Sequence, residues 1–209
     1  LPVSQAAKLH VFHTPVMSIP PPGPAVHRQV ASKDDRDRPV LLWAGRLDRQ
    51  KRFDLMIGIA RALPEVDFHC WGRAVLDAPM VDMVELPENL TLNPPFDRFS
   101  ELPLSSCDGW VYTSAWDGLP NVVIEAGAYG MPIVASAVDG IPELLDDPTG
   151  WPVQAVNDVQ AYVSAIRDML SDDDERISRA ERLYRRVGER HVRARYRARF
   201  EQLEKLFNE

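Results

Sequence analysis

Short apolar runs alternate with amphipathic stretches along most of the chain, starting at Val40. Short runs bounded by polar residues are typical of strands buried on both faces of a sheet. Apolar residues at helical spacing are typical of helices that cover such a sheet. The repeated alternation therefore predicts an α/β fold, in which a parallel sheet is flanked by helices.

The individual elements can be placed from these runs. The predicted strands are residues 40–45, 66–72, 90–93, 109–115 and 132–136, and the predicted helices are residues 54–63, 75–85, a short one around 97–106, and 120–129. Beyond Gly150 the pattern turns helical, with one helix predicted over 156–170. The acidic run at 171–175 is expected only to start the next helix, because acids favour a helix N-terminus.

Composition divides the chain into three parts. Residues 18–39 are rich in proline and charge, so residues 1–38 are interpreted as a leading segment and interdomain connector. Residues 39–170 form the predicted sheet domain. Residues 171–209 are predicted to be additional C-terminal helices that pack on this domain or cross to another one.

Charge and cysteine content exclude several classes of protein. The net charge of −7 argues against a nucleic-acid partner, because a polyanion would be repelled. Two cysteines cannot supply a disulfide framework or a four-thiolate metal site. The sequence has neither a long apolar run nor the layout of a secretory signal, so we expect a cytoplasmic location.

The loop after the first predicted strand concentrates positive charge. Gly45 allows close approach of the backbone, Arg46 offers a planar set of donors, and Lys51 stands where a helix should begin. These features predict an anion site, most simply for phosphate, although a solvated charged loop has the same composition. Neither the P-loop nor the dinucleotide-binding glycine pattern is present, so charged side chains would have to hold the phosphate.

A second set of polar residues follows the strand at 109–115. Gly118 and Pro120 suit the turn that opens a helix, and Asp117 and Glu125 flank that helix start. Carboxylates beside an anion site suit a ligand that also carries hydroxyls, such as a nucleotide sugar. The alternative is that Asp117 is only a turn residue and that Glu125 is only a charge on the helix surface. The amides expected to face the phosphate belong to Leu119, Asn121 and Val122.

Two stretches resemble a known family. VLLWAGRLDRQKRFDLMIGIA and CDGWVYTSAWDGLPNVVIEAGAYGMPIVASAVDGIPELL, within residues 39–170, resemble the C-terminal, donor-binding half of retaining GT-B glycosyltransferases of family 4, the glycosyl transferases group 1. The resemblance implies a Rossmann-like lobe. It also implies that Arg46 and Lys51 contact the donor diphosphate, that Asp117 contacts the transferred sugar, and that Glu125 binds the ribose.

The chain departs from the family pattern at several positions. Asp117 stands where glutamate is usual and is one methylene shorter, so the contact with the sugar could be shifted. After Gly72 comes Arg73, an unexpected candidate ligand, and Asp139 stands where glycine is common. Near the expected base site the prolines of NPPFD lack N–H donors, which leaves carbonyls and Phe96 for base contact.

The resemblance yields a full set of expected site residues and partners. The predicted catalytic residues are Arg46, Lys51, Asp117 and Glu125, and the predicted donor-binding residues are Gly45, Arg46, Lys51, Gly72, Arg73, Phe96, Gly118, Leu119, Pro120, Asn121 and Glu125. The donor would be a UDP- or GDP-sugar, and neither a metal nor another cofactor is expected. A missing N-terminal lobe would bind the acceptor, so we expect this chain to bind the donor without turning it over.

The expected function is metal-independent glycosyl transfer in polysaccharide or glycolipid synthesis. Two alternatives remain open, a non-catalytic nucleotide-binding or interaction module and a nucleotide-sugar epimerase of the same fold. The segment 182–199 holds eight arginines. It is interpreted as a solvated basic helix or one that packs on the missing lobe, and alternatively as a peripheral contact with anionic lipid.

Overall fold

The computed structural model of the chain describes residues 13–16, 38–74 and 85–207. Six parallel strands form one sheet, in the order β3-β2-β1-β4-β5-β6. The strands are β1 (Val40–Ala44), β2 (Asp67–Trp71), β3 (Leu90–Asn93), β4 (Gly109–Tyr112), β5 (Ile133–Ser136) and β6 (Trp151–Val153). This is the strand order of a Rossmann-like fold, so the fold class expected from the sequence is confirmed.

Helices cover the sheet. They are α1 (Phe53–Ala62), α2 (Asn121–Ala128), α3 (Ile141–Leu144), α4 (Val159–Ser171), α5 (Asp173–Arg190) and α6 (Arg193–Phe207). The helix expected around residues 97–106 is instead two single 3₁₀ turns, Phe99–Glu101 and Leu104–Ser106. The helix expected at 75–85 lies largely outside the described residues.

Two short elements differ from the sequence prediction. The chain beyond Gly150 was expected to turn helical, but Trp151–Val153 pairs with β5 as the edge strand β6. A three-residue strand with a central proline gives no periodic signal, and proline is tolerated there because the strand lies at the edge of the sheet. The short helix α3, Ile141–Leu144, was not among the helices predicted from the sequence.

The alternation of side chains along the strands divides the core into two layers. Leu41 and Trp43 of β1 point to the face covered by α1 and α4, whereas Leu42 and Ala44 point to the face covered by α2 and α5. Both layers are buried, which explains why the central strands β1, β4 and β5 are apolar along most of their length. The two cysteines are buried in these layers and form no disulfide.

The C-terminal helices begin as the acidic run predicted. Asp172 caps α5, and its side chain accepts a hydrogen bond from the Glu175 amide at 3.0 Å. Leu183 and Val187 of α5 are buried in the same core layer as α2. The leading segment also reaches this region, because the Val16 amide donates to the His191 carbonyl at 2.8 Å.

The arginine-rich segment divides between two helices. On α5, Arg186 pairs with Asp146 at 2.9 Å, and Arg190 donates to the Glu143 carbonyl at 2.7 Å. On α6, residues 193–200 are exposed. These two α5 arginines are thus engaged by the sheet domain itself. No helix within the described ranges is both long and apolar enough to cross a membrane.

Candidate functional site

A cavity opens at the carboxyl edge of the sheet, where the strand order reverses between β1 and β4. Such a switch point is where ligands bind in open α/β sheets. The cavity has a volume of about 310 Å³, near the lower end of the size of small-molecule pockets. Its lining residues are Ala44, Gly45, Arg46, Lys51, Trp71, Gly72, Arg73, Pro95, Phe96 and Val122.

Hydrogen bonds tie the loop after β1 to the loop after β4. The Trp43 indole N–H donates to Thr113 Oγ1 at 2.9 Å, and the Thr113 hydroxyl donates to the Lys51 carbonyl at 2.7 Å. The Ala115 amide and the Ser114 hydroxyl both donate to the Gln50 carbonyl. The backbone around Lys51 is therefore fixed against the end of β4.

The Lys51 side chain joins a polar cluster with Tyr112 and Asp117. Its ammonium donates to the Tyr112 hydroxyl at 2.7 Å and forms an ion pair with Asp117. The Tyr112 hydroxyl in turn donates to Asp117 Oδ2 at 2.5 Å. The Lys51 and Asp117 side chains are only 13% and 17% exposed, so solvent screens this ion pair less than an exposed one.

The cluster shifts the acidity of two groups. Burial, and then the hydrogen bond to Asp117, raise the pKa of Tyr112 well above its ordinary value, so the phenol stays protonated and donates. Burial alone would raise the pKa of Asp117. The hydrogen bonds from Lys51 and Tyr112 outweigh burial and hold that pKa below its ordinary value. Asp117 is therefore a fixed, ionised acceptor.

Helix α2 begins beside this cluster. Pro120 is its N-cap residue, so the helix begins at Asn121, one residue later than predicted from the sequence. The first amides to find helical acceptors are those of Val123 and Ile124, which donate to the Pro120 carbonyl. Among the described residues, the amides of Leu119, Asn121 and Val122 have no acceptor. These are the three amides predicted to face an anion.

Glu125 is half-buried one turn along α2. It lies three residues after Val122, which lines the cavity, and residues three apart share a helix face. Within the described parts of the chain, its carboxylate has neither a hydrogen bond nor an ion pair, and burial raises its pKa. A carboxylate that is partly desolvated and unpartnered is suited to accept hydrogen bonds from a ligand.

Arg46 stands at the mouth of the cavity. Its side chain is 55% exposed, pairs with Asp48 at 3.1 Å and donates to Gln50 Oε1 at 2.7 Å. The side-chain amide of Gln50 donates a hydrogen bond to the Trp116 carbonyl at 3.0 Å. Arg46 is thus aligned by its own loop while its guanidinium remains accessible.

Gly72 and Gly118 differ in what a side chain would meet at each position. A Cβ on Gly72 would lie 2.1 Å from the Gly45 carbonyl oxygen, so the loops after β1 and β2 touch at this point. A Cβ on Gly118 would meet no atom within 4 Å. Gly118 also lacks a positive φ, so the tight turn expected of it does not depend on the conformational freedom of glycine. It leaves open space beside the start of α2.

Asp139 takes a role that the sequence did not indicate. It adopts a left-handed conformation with φ of 44°, which is unfavourable for most residues other than glycine and is tolerated by aspartate. Its carboxylate accepts a hydrogen bond from the Asp117 amide at 2.7 Å. The Gly140 amide also donates to the Gly118 carbonyl at 3.1 Å. The turn after β5 therefore supports the loop that carries Asp117.

The structure brings most of the predicted site residues to one edge of the sheet. Six of the predicted residues line the cavity: Gly45, Arg46, Lys51, Gly72, Arg73 and Phe96. Asp117 is paired with one of them, Lys51. The remaining predicted residues, Gly118, Leu119, Pro120, Asn121 and Glu125, lie at or just before the start of α2. Sequence reasoning missed Tyr112 and Thr113, because apolar strand ends give no sign of which loop their hydroxyls will contact.

The described residues hold no group of three His, Cys, Asp or Glu side chains placed to bind a metal ion. The acidic triplet at 172–174 lies at the start of α5, where Asp172 serves as the cap. Asp173 pairs with the buried Arg176 at 2.8 Å. Asp172 and Asp173 are therefore occupied in starting and anchoring the helix.

Comparison with known sequences gives a family match. The family model for glycosyl transferases group 1 matches residues 38–172. Glycogen synthase of Thermus thermophilus is 30% identical over 118 residues, which cover 54% of this chain and 27% of that enzyme. The chain thus matches only about a quarter of the length of this relative.

Comparison with solved structures agrees on the fold. Sucrose-phosphate synthase from Thermosynechococcus elongatus matches with a TM-score of 0.73 and 22% identity, over 94% of this chain and 49% of that one. The Anabaena protein HepE, solved in complex with UDP-glucose, matches with a TM-score of 0.70 and 19% identity, over 87% and 52% of the two chains. The chain is similar to about half of each of these proteins.

Proposed function

The chain belongs to the glycosyl transferases group 1 family, and from this premise we propose that it is the donor-binding lobe of a retaining GT-B glycosyltransferase of family 4. Its ligand is a nucleotide sugar, a UDP- or GDP-sugar. The presence of UDP-glucose in the structure of HepE supports this class of donor. A second, acceptor-binding lobe completes the enzyme, so this chain alone binds the donor without transferring the sugar.

One observation carries the proposal. The cationic loop after β1 and the start of α2 line the same cavity, through Arg46, Lys51 and Val122. The unpaired amides of α2 and the unpartnered carboxylate of Glu125 lie next to it. A ligand with phosphates at its centre and hydroxyls at its ends matches this order of cations, amides and carboxylate.

The chemistry follows from where charge develops during transfer. As the bond between the sugar and the diphosphate breaks, negative charge grows on the leaving diphosphate. Arg46 and the free amides at the start of α2 stabilise this charge more strongly in the transition state than in the bound donor. Positive side chains and amides take the place of a metal ion, so transfer by the whole enzyme should survive a chelator. Loss of transfer with EDTA would contradict this part.

The observed cluster favours one rival function. Asp117 already accepts hydrogen bonds from Lys51 and Tyr112, so its contact with a transferred sugar competes with these partners. A non-catalytic nucleotide-binding module would need no such contact. Transfer that persists at the wild-type rate in Asp117→Asn would show that the Asp117 carboxylate does not act on the sugar.

The epimerase alternative is tested separately. Product analysis of the whole protein distinguishes sugar transfer from epimerisation of the donor.

The test of donor binding is a thermal-shift panel with UDP-glucose, GDP-mannose and ADP-glucose, because a ligand that binds only the folded state raises its melting temperature. We expect one nucleotide class to stabilise the chain and Glu125→Ala to abolish that shift. Glu88→Ala is the matched control, since Glu88 is exposed just before β3 and lies at the opposite, amino edge of the sheet. A shift that persists in Glu125→Ala would contradict donor recognition at this cavity.

The biological setting is part of the proposal. Synthesis of a polysaccharide or glycolipid from cytoplasmic nucleotide sugars agrees with the family. The exposed arginines of α6 supply a basic surface that suits either the acceptor lobe or an anionic membrane. Binding of the full chain to anionic vesicles that is unchanged by replacing these arginines with glutamate would exclude the membrane contact.

A further inference from the structure

Arg46 and Arg73 occupy neighbouring positions on two adjacent extended segments. Ala44 of β1 pairs with Trp71 of β2, and the parallel bridge between Leu47 and Ala74 continues the same register past the strand ends. The Leu47 amide donates to the Arg73 carbonyl at 3.0 Å. Register therefore places Arg46 beside Arg73, and neighbours in register project from the same face of a sheet.

Both arginines line the cavity, but their electrostatic surroundings differ. Arg46 has Asp48 as an ion-pair partner at 3.1 Å. Arg73 is exposed, and the described part of the chain offers its guanidinium neither an ion pair nor a hydrogen bond. Like charges on adjacent register positions repel each other. An anion bound between the two guanidinium groups would replace that repulsion with attraction.

Lys51 is in the opposite situation. Its ammonium is 13% exposed and is paired with Asp117, so much of its positive charge is already balanced. A third N–H of the ammonium remains for a ligand, but a phosphate there would also feel the negative charge of Asp117. Of the two cations that the family resemblance assigns to the diphosphate, Arg46 and Lys51, Lys51 is therefore the one whose ion pair is mostly shielded from solvent.

We propose that Arg46 and Arg73 together form the clamp for the donor diphosphate, and that Lys51 serves mainly to hold Asp117 in place. This rests on the proposed function, in which the cavity binds a nucleotide sugar. Two planar guanidinium groups side by side can each donate two hydrogen bonds to phosphate oxygens. The contact between Gly72 and the Gly45 carbonyl brings the two segments close enough to share one ligand.

The clamp is tested by comparing nucleoside diphosphates with their nucleosides. Titration of the full chain with UDP, GDP and ADP, and with uridine, guanosine and adenosine, isolates the share of affinity that comes from the phosphates. Arg73→Gln should weaken binding of the preferred diphosphate by roughly tenfold or more, as expected for losing a charged hydrogen-bond donor. Binding of the nucleoside should not change.

Three further variants sharpen the comparison. Arg46→Gln should behave like Arg73→Gln, Lys51→Gln should reduce the preference for the diphosphate less than either, and Arg73→Lys should restore part of it because it keeps the charge without the planar fork. Arg167→Gln is the control, because Arg167 lies on α4, is exposed and pairs with Glu65 outside the cavity lining.

The outcomes separate this inference from the function on which it rests. If the wild-type chain prefers the diphosphate and Arg73→Gln keeps that preference, the clamp is overturned and the donor site stands. A larger loss in Lys51→Gln than in Arg73→Gln would also overturn the clamp. If the wild-type chain binds none of the diphosphates, the donor site itself fails, and the clamp fails with it.

Discussion

At the scale of single residues, the hydroxyl of Tyr112 connects a cation to a carboxylate. It accepts a hydrogen bond from Lys51 and donates one to Asp117, while its ring is buried in the core layer beneath α2. Because the ring is 1% exposed, phenylalanine would fill the same space. The hydroxyl can therefore be removed without opening a cavity.

Tyr112→Phe should lower the free energy of unfolding by about 1 kcal/mol at neutral pH, the usual net value of a lost hydrogen bond. The pKa of Asp117 is depressed in the folded state, so its stabilising effect is present above its unfolded pKa and is lost as pH falls through the folded one. The difference between wild type and variant should thus shrink below about pH 4. Urea unfolding at several pH values measures it.

The matched control is Tyr162→Phe. The Tyr162 hydroxyl donates to the Val156 carbonyl at 3.3 Å, and among the described residues it pairs with no carboxylate. Its removal should cost a similar amount at every acidic pH. A Tyr112→Phe penalty that is equally independent of pH would show that the hydroxyl does not hold Asp117 in its ionised form.

Glu125 should oppose stability and support binding. Burial raises its pKa, so its contribution to stability is greatest below its unfolded pKa and is lost as pH rises through the folded one. Glu125→Gln, which stays neutral, should melt at a higher temperature than wild type at pH 7 and at a similar temperature at pH 4. If Glu125→Gln and wild type melt at the same temperature at pH 7, the Glu125 carboxylate is not partly desolvated. Glu88→Gln, at an exposed position outside the cavity, is the matched control.

At the scale of elements, the site depends on how closely the loops at the carboxyl edge approach each other. Gly72 is in contact with the Gly45 carbonyl, whereas Gly118 faces open space. Replacement by alanine should therefore have different effects at the two glycines. At Gly72 it should disturb the packing of the protein, whereas at Gly118 it should fill space that is left for a ligand.

Gly72→Ala should destabilise the chain by at least about 1 kcal/mol and weaken nucleotide binding, because a Cβ 2.1 Å from a carbonyl oxygen forces the backbone apart. Gly118→Ala should leave the melting temperature unchanged and weaken only nucleotide binding. Thermal melts with and without the preferred nucleotide measure both effects. A Gly118→Ala variant with wild-type affinity would place the ligand away from the start of α2.

The sequence predicted the elements that carry strong periodicity. Four strands were placed to within one residue at each end, because their apolar runs end at glycine or polar residues, whereas the strand predicted over 109–115 ends at Tyr112. The strand β6 was missed, since Pro152 and a length of three residues conceal it. At the site, the structure brings the predicted loops to one edge of the sheet, but the pairing of Lys51 with Asp117 depends on which side chains face each other across the gap. Only three-dimensional register reveals that.

At the scale of the whole molecule, α5 belongs to the core of the sheet domain. Its residues Ile177, Leu183 and Val187 are buried, and a Cβ on Gly127 of α2 would lie 3.0 Å from Val187. The family match ends at residue 172, just before this helix. The structural unit is therefore longer than the stretch that carries the family resemblance.

A chain that ends at residue 172 should lose cooperative unfolding. Each large apolar side chain of α5 contributes about 1.5 to 3 kcal/mol by burial, against a typical total stability of about 5 to 15 kcal/mol. A chain that ends at residue 192 lacks only α6, whose residues 193–200 are exposed, and should still unfold cooperatively. Thermal unfolding followed by circular dichroism distinguishes the two. Equal melting of both truncated chains would contradict the role of α5.

The central claim is that the loop after β1 and the start of α2 grip one ligand from two sides. Isothermal titration of the nucleotide chosen by the thermal-shift panel, and of its nucleoside, into wild type, Arg46→Gln and Glu125→Gln tests it most directly. The account predicts that Arg46→Gln weakens only the diphosphate, whereas Glu125→Gln weakens both ligands by about tenfold or more through loss of the ribose contact. Wild-type affinity of Glu125→Gln for both ligands would contradict it.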